Sequence, residues 1–283
     1  MIVVFGSINL DTTIPVERLP QPGETVIGGD YLQSPGGKGA NQACAAARAG
    51  DEVHMFGSVG TDHFAPLALD LMKQAGVDLD GIQEVDKPSG CATIWVDEAG
   101  ENAIIVSPGA NKQTKAAQVP DRFLTPDTLV LLQMEVPASE NWKLVKRAAA
   151  RGSRILLNVA PAGVVPDDVL RQIDYLVVNE VEGQRIAADA GLDDMQPTRL
   201  PRALSSRYEL TCILTLGGAG LLSFGPDGGW SIPSMPVTPI DTTGAGDAFL
   251  ARHLAAVLEG RDPPGALRAA LNGHASAAGR EPG

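Results

Sequence analysis

Cysteine is scarce in this chain. Its three copies, Cys44, Cys91 and Cys212, are odd in number, far apart and without a CxxC pair. That excludes a disulfide framework and a thiolate zinc site, and it favours a reducing, cytoplasmic setting. Basic residues are in deficit as well: 22 Lys and Arg stand against 34 Asp and Glu, a net charge of −12. A surface so charged is not built to neutralise phosphates along a polynucleotide, so no nucleic acid is expected as a partner and any polyanion must meet a local site. No stretch approaches the roughly 20 apolar residues that cross a bilayer, and the opening MIVVFGSINLD lacks a basic flank or cleavage pattern. The reading is a soluble protein with no membrane partner, starting on a buried strand. A dinucleotide fingerprint is missing too, because Gln42 and Phe249 stand where GxGxxG would need its last glycine. Lys38 lacks the Ser or Thr that would follow it in a Walker A loop.

What the chain does have is a core: 44% of its 283 residues are hydrophobic. Short β-branched runs (IVVF, EVHMFG, TLVLLQM, RILLNV, YLVVN, CILTLG) alternate with helical patterns at Ala40–Ala49, Phe64–Ala75, Ser139–Arg151 and Val165–Ile173. The alternation indicates βαβ units in an α/β fold with a doubly wound, mostly parallel sheet. Gly50, Gly76 and Gly152 close helical patterns as C-terminal glycines do. Two segments break the rhythm. Residues 13–34 and 91–106 carry strand-like runs, the second around a Gly-containing turn, and together predict a small β-sheet lid beside a core of residues 1–12, 35–90 and 107–283. The Pro-rich stretch Gly225–Pro239 reads as connection, and Pro263–Gly279 as a final Ala-rich helix.

Several polar stretches compete for chemistry. In DTTGAGDAF, free N–H groups at a helix start, flanked by residues with little side chain, can converge on a phosphoryl oxygen. Asp247 there is either an N-cap or a base that takes a hydroxyl proton. GGKGANQA starts a helix after two glycines, with Lys38 and Asn41 as donors or a plain structural turn as the alternative. GSINLD places Asn9 and Asp11 on one side of an extended segment after the first strand, where they could grip hydroxyls. In YLVVNEVEG, Asn179 and Glu182 share a face at a helix start, either to hold a hydrated metal or phosphate or simply as a cap with an acidic first turn. Glu135 in QMEVP ends another strand, where a lone carboxylate is ordinarily solvated.

Taken together and in order, GSINLD, PQPGETV, GGKGANQA, GENAIIVSPGAN, QMEVP, NEVE, TLGGAG and DTTGAGDAF resemble the ribokinase-like family of carbohydrate kinases, also called the PfkB family. The resemblance implies a Rossmann-like α/β core with a β-sheet lid, and transfer of the γ-phosphate of ATP to a primary hydroxyl of a sugar, D-ribose to ribose 5-phosphate foremost. Nucleoside, fructose and 2-keto-3-deoxygluconate kinases are the nearest rivals, and a catalytically silent sugar- or nucleotide-binding protein is the alternative outside catalysis. By the same resemblance, Asn9, Asp11, Gly37, Lys38, Asn41, Glu135 and Asp247 contact the sugar. Asn179, Thr215, Gly217, Gly220, Gly246 and Asn272 meet the nucleotide, Glu182 serves Mg²⁺ through water, and Asp247 is the general base. The amides following Gly244, those of Ala245, Gly246 and Asp247, form the anion hole, and a homodimer through the lid is implied. Asp241 and Thr243 match one half of a monovalent-cation site. The sequence stops at GREPG, within the loop expected to complete that site, so K⁺ activation is expected to be weakened or lost. Ala251 and Arg252 depart from the small pair, led by Gly, that usually follows GDAF, and Ala65 stands where the family commonly has Gly.

Overall fold

The computed structural model describes residues 1–192 and 195–233. Two sheets organise them. The larger has nine strands in the order β13-β12-β11-β10-β9-β8-β1-β4-β5. At its centre β1 (Ile2–Phe5) runs parallel to β4 (Val53–Gly60) on one side and to β8 (Leu129–Leu132) on the other, with Ile2 facing Val53 and Leu129. The parallel run continues outward to β5 (Asp78–Val85) at one edge, and through β9 (Arg154–Asn158) and β10 (Tyr175–Asn179) to β11 (Thr211–Thr215). There β12 (Leu221–Gly225) and β13 (Gly228–Ile232) add an antiparallel hairpin. The first part of the Pro-rich stretch read as connection is therefore strand β13. Alternation in FGPDGGWSI is masked by its glycines, whose backbone pairs without contributing side chains.

Every side chain of β1 is buried, which a strand covered on both faces requires. Val3 and Phe5 pack with Leu144, Val145 and Ala148 of α3 (Ala138–Ala149), on the face that also holds α4 (Asp167–Leu170), α5 (Glu180–Asp189) and α6 (Leu200–Tyr208). Ile2 and Val4 point the other way, against Ala43 of α1 (Lys38–Arg48) and Met72 of α2 (Phe64–Ala75). The helix expected over Val165–Ile173 shrinks to the single turn of α4. Pro166, held extended with ψ 146°, sets its start, and beyond Leu170 the chain turns to return Ile173 to the core. Gly50, Gly76 and Gly152 all have positive φ just beyond helices, as their positions predicted. Among the described residues no helix is long and apolar enough to cross a membrane.

The smaller sheet is β3-β2-β6-β7, built from β2 (Asn9–Pro15), β3 (Leu32–Gly36), β6 (Cys91–Val96) and β7 (Asn102–Ser107). β6 and β7 form the hairpin expected from its glycine turn, closed by Gly100 at φ 80°. β2 bridges the two sheets: it grows from the end of β1 and carries Asn9 and Asp11 on its first residues.

Candidate active site

The connections leave β1 first toward β4 and β5 and later toward β8, β9, β10 and β11. Between β1 and β8 the carboxyl ends of parallel strands therefore open a crevice, the place where sheets of this type bind ligands. Ser7 follows β1 and Glu135 follows β8, so the crevice is lined by both. Asn179 ends β10 and Thr215 ends β11 along the same edge.

Helix α1 enters this crevice with Gly37 as its N-cap, a residue without a side chain and with φ 90°. Its free amides are satisfied from elsewhere in the chain. Lys38 N donates to Glu135 Oε2 at 3.0 Å, Gly39 N to Ser7 Oγ at 3.2 Å, and Ala40 N to the Ser7 carbonyl at 2.9 Å. The Ser7 hydroxyl in turn donates to Glu135 Oε2 at 2.6 Å. The carboxylate thus sits at the positive end of the helix, where its charge is favoured. A Cβ at residue 39 would lie 2.6 Å from Ser7 N, so only glycine lets the helix approach β1 this closely. One reading changes as a result: Glu135 is not a solvated strand-end acid but the acceptor for Ser7 and for the start of α1.

Asn9 and Asp11 do lie on one side of β2. Asp11 Oδ1 accepts the Ala92 N–H at 3.1 Å, and its other oxygen leaves no room for a side chain at Gly36, whose Cβ would stand 2.0 Å away. Burial pushes the Asp11 carboxyl up to about 6. The Ala92 N–H and the Asn9 amide oppose that rise, while the charge of Glu135 adds to it. A partly buried acid with few donors of its own is suited to accept hydrogen bonds from the hydroxyls of a polyol.

Asn179 and Glu182 form a reciprocal capping box at the start of α5. Glu182 N donates to Asn179 Oδ1 and Asn179 N to Glu182 Oε2, each at 2.8 Å. The capping alternative is therefore realised in the fold. Burial raises the Glu182 pKa, while the Asn179 N–H and the charge of Lys38 draw it back. Lys38 consequently acts electrostatically on Glu182 through its side chain while its backbone meets Glu135. Thr215 Oγ1 donates to the Val178 carbonyl at 3.4 Å, and a tight turn follows in which Gly217 and Gly220 have φ 54° and 94°. Asp241, Thr243, Gly244, Ala245, Gly246, Asp247, Ala251, Arg252 and Asn272 lie outside the described residues.

Some contributors escaped the sequence reading. Ser7 lies inside GSINLD, and its signal was a hydroxyl directly after a strand-end glycine. Gln133 Nε2 donates to Gln42 Oε1 at 2.8 Å, tying the end of β8 to α1, and Asn141 Nδ2 donates to the Gln133 carbonyl at 2.7 Å. Asn111 closes the stretch GENAIIVSPGAN and is only 1% exposed.

Residues 1–280 match the profile of the family described as pfkB family carbohydrate kinase. The chain is 36% identical over 270 residues to the ribokinase of Bacillus subtilis (strain 168), covering 94% of this chain and 89% of that one. It is 31% identical over 276 residues to the deoxyribokinase of Salmonella typhi, covering 95% and 90%. Among solved structures, it is similar to the Arabidopsis thaliana ribokinase complexed with ribose and ATP, with a TM-score of 0.88 and 30% identity over 99% of this chain and 93% of that one.

Proposed function

The chain belongs to the pfkB family of carbohydrate kinases, and we propose that it transfers the γ-phosphate of ATP to the primary hydroxyl of D-ribose, giving ribose 5-phosphate. The observation that carries this reading is the polar cluster at the β1–β8 crevice, where Glu135 joins Ser7 to the Lys38 N–H and its charge reaches Asp11, which the Asn9 amide also meets. Partly buried acceptors and donors placed around one crevice are what a small polyol needs and an apolar ligand does not. Gly37 and Asn41 complete the sugar side in this reading.

The nucleotide would lie along the neighbouring strand ends, over Asn179 and the Thr215, Gly217 and Gly220 turn, with Gly246 and Asn272 contributing from beyond the described residues. Glu182 fits a magnesium role: it is a carboxylate that burial disfavours in its charged form, with one oxygen committed to the helix cap. Mg²⁺ supplied with ATP would neutralise phosphate charge there, held by Glu182 through water. Asp247 is assigned as the base that orients and deprotonates the hydroxyl. The Ala245, Gly246 and Asp247 amides after Gly244 would steady the transferred group, since phosphoryl transfer rests on alignment and charge stabilisation. The small sheet serves as a lid that keeps water out of the crevice.

Two further assignments belong to this reading. The small sheet carries exposed apolar side chains, Ile104, Ile105 and Val106 on its edge strand β7 and Tyr31 and Leu32 at the other edge, which supports a homodimer formed through the lids. Cys44, Cys91 and Cys212 are all free thiols, consistent with a cytoplasmic enzyme.

The test is a coupled ADP-release assay with Mg-ATP across ribose, deoxyribose, fructose and adenosine, run with and without K⁺. Ribose should give the highest kcat/KM. Equal turnover of all four, or a preference for adenosine, would overturn the ribose assignment.

A further inference from the structure

We infer that Asn111 is a positioning residue for sugar recognition: its carboxamide fixes the Asn9 amide so that Asn9 turns its NH₂ group toward Asp11 and the sugar. The inference rests on the sugar-kinase reading and adds a residue to it.

Asn111 sits in the short 3-10 turn Gly109–Gln113 that follows β7, where the chain re-enters the core from the small sheet. Its Oδ1 accepts the Ile8 N–H at 2.9 Å. Its Nδ2 donates to the Ile8 carbonyl at 3.1 Å and to Asn9 Oδ1 at 2.8 Å. The two bonds to Ile8 fix which end of the carboxamide is which, because a rotated amide would set donor against donor and acceptor against acceptor. With the Asn111 amide fixed, the Asn9 oxygen is the atom it holds, and only the Asn9 NH₂ remains for other partners. That NH₂ is what bears on the Asp11 carboxylate.

The surroundings reinforce the arrangement. Gly90 packs directly over the pair; a Cβ there would stand 2.2 Å from Asn111 Nδ2 and 2.3 Å from Asn9 Oδ1. The Gly90 carbonyl accepts the Leu10 N–H at 3.0 Å. Three crossings between the sheets, at Ile8–Leu10, Gly90 and Asn111, therefore meet at the Asn9 side chain. Asn9 belongs to β2 of the small sheet, and Asn111 ties its side chain to the turn where the chain re-enters the core.

A residue that merely held the turn would need only the two Ile8 bonds. The third bond has a separate consequence. Without it, Asn9 is free to flip and present its oxygen to another oxygen at Asp11, replacing an attraction by a repulsion.

The test uses the full chain with ribose and ATP. Asn111→Asp keeps the acceptor for Ile8 N but, ionised, cannot donate to Asn9, and Asn111→Ala removes the donor without adding charge. For either variant the ribose KM, and the ribose dissociation constant by calorimetry, should rise by about 10- to 100-fold, the range of a lost hydrogen bond to a charged site. The ATP KM should move less than about twofold. In an Asn9→Ala background the same substitutions should leave ribose affinity unchanged, because the residue they act through is gone. Additive losses in the double variants, or equal losses for ribose and ATP, would overturn the inference. A wild type that binds ribose without releasing ADP would sink the kinase reading, and the calorimetric comparison would still decide the role of Asn111. A wild type that binds no ribose overturns both.

Discussion

Ser7 donates its hydroxyl to Glu135 Oε2 at 2.6 Å, and the same carboxylate oxygen accepts the Lys38 N–H. One serine thereby links β1, the loop after β8 and the start of α1. Ser7→Ala should loosen Glu135 and leave Gly39 N without its side-chain acceptor, lowering stability by about 1–3 kcal/mol. Ribose KM should rise roughly tenfold, with kcat changed less. Urea unfolding and steady-state kinetics measure both, and an unchanged KM would remove Ser7 from the sugar site.

Asp11 gives the site a pH signature. Its folded pKa is raised from 3.8 to about 6, so between those values the native state holds a proton that the unfolded chain has released. Stability from this group is therefore greatest below the unfolded value and is lost as pH rises toward about 6, after which the ionised acid is a standing cost of roughly 3 kcal/mol. Sugar binding runs the other way, since the carboxylate is the better acceptor. Ribose KM should fall as pH rises through about 6 and then level off. Glu135 and Cys91 are the other titratable groups facing Asp11. Asp11→Asn should flatten that limb, weaken ribose binding and raise the melting temperature of the sugar-free protein at neutral pH. A limb that survives in Asp11→Asn would assign it to another group.

Asp247→Asn should lower kcat by roughly 10²–10⁴-fold while calorimetric ribose binding persists. Loss of binding with the rate would make Asp247 a structural cap instead of a base.

Ile105→Glu places a charge on the exposed edge of the small sheet, in a side chain that is 59% exposed in the isolated chain. Sedimentation should shift from dimer to monomer, because an uncompensated carboxylate in an apolar interface costs several-fold more than the contact it replaces. A wild type that sediments as a monomer at all concentrations would overturn the lid-mediated dimer.

The parallel sheet was legible because its central strands, such as IVVF and YLVVN, are short, apolar and separated by helices of ordinary length. β5 was not, since DLDGIQEV lies at a sheet edge, is only partly buried and carries a glycine and several polar residues. Asn9, Asp11, Lys38 and Glu135 stood out as polar residues at strand or helix ends. Ser7 and Asn111 did not. Each acts through a partner more than 100 positions away, as the separations of 128 for Ser7–Glu135 and 102 for Asn111–Asn9 show, and no local pattern encodes such pairs. The Asn179–Glu182 spacing was read with two meanings and the fold realises the cap, because a capping box satisfies orphan amides whether or not a metal is near.

The capping of α1 by residues distant in sequence also bears on the order in which the protein can be made. A nascent chain that has not yet reached Leu129 offers β1 a neighbour on one side only and has no acid to receive the Lys38 amide. The helix bearing Lys38 and Asn41 is synthesised 97 positions ahead of Glu135, yet it cannot finish its own N-terminus until that residue has emerged from the ribosome. The crevice between β1 and β8 is thus completed later than the helix that enters it. Until then its glycine-rich approach, Gly36 to Gly39, waits as an unfinished turn.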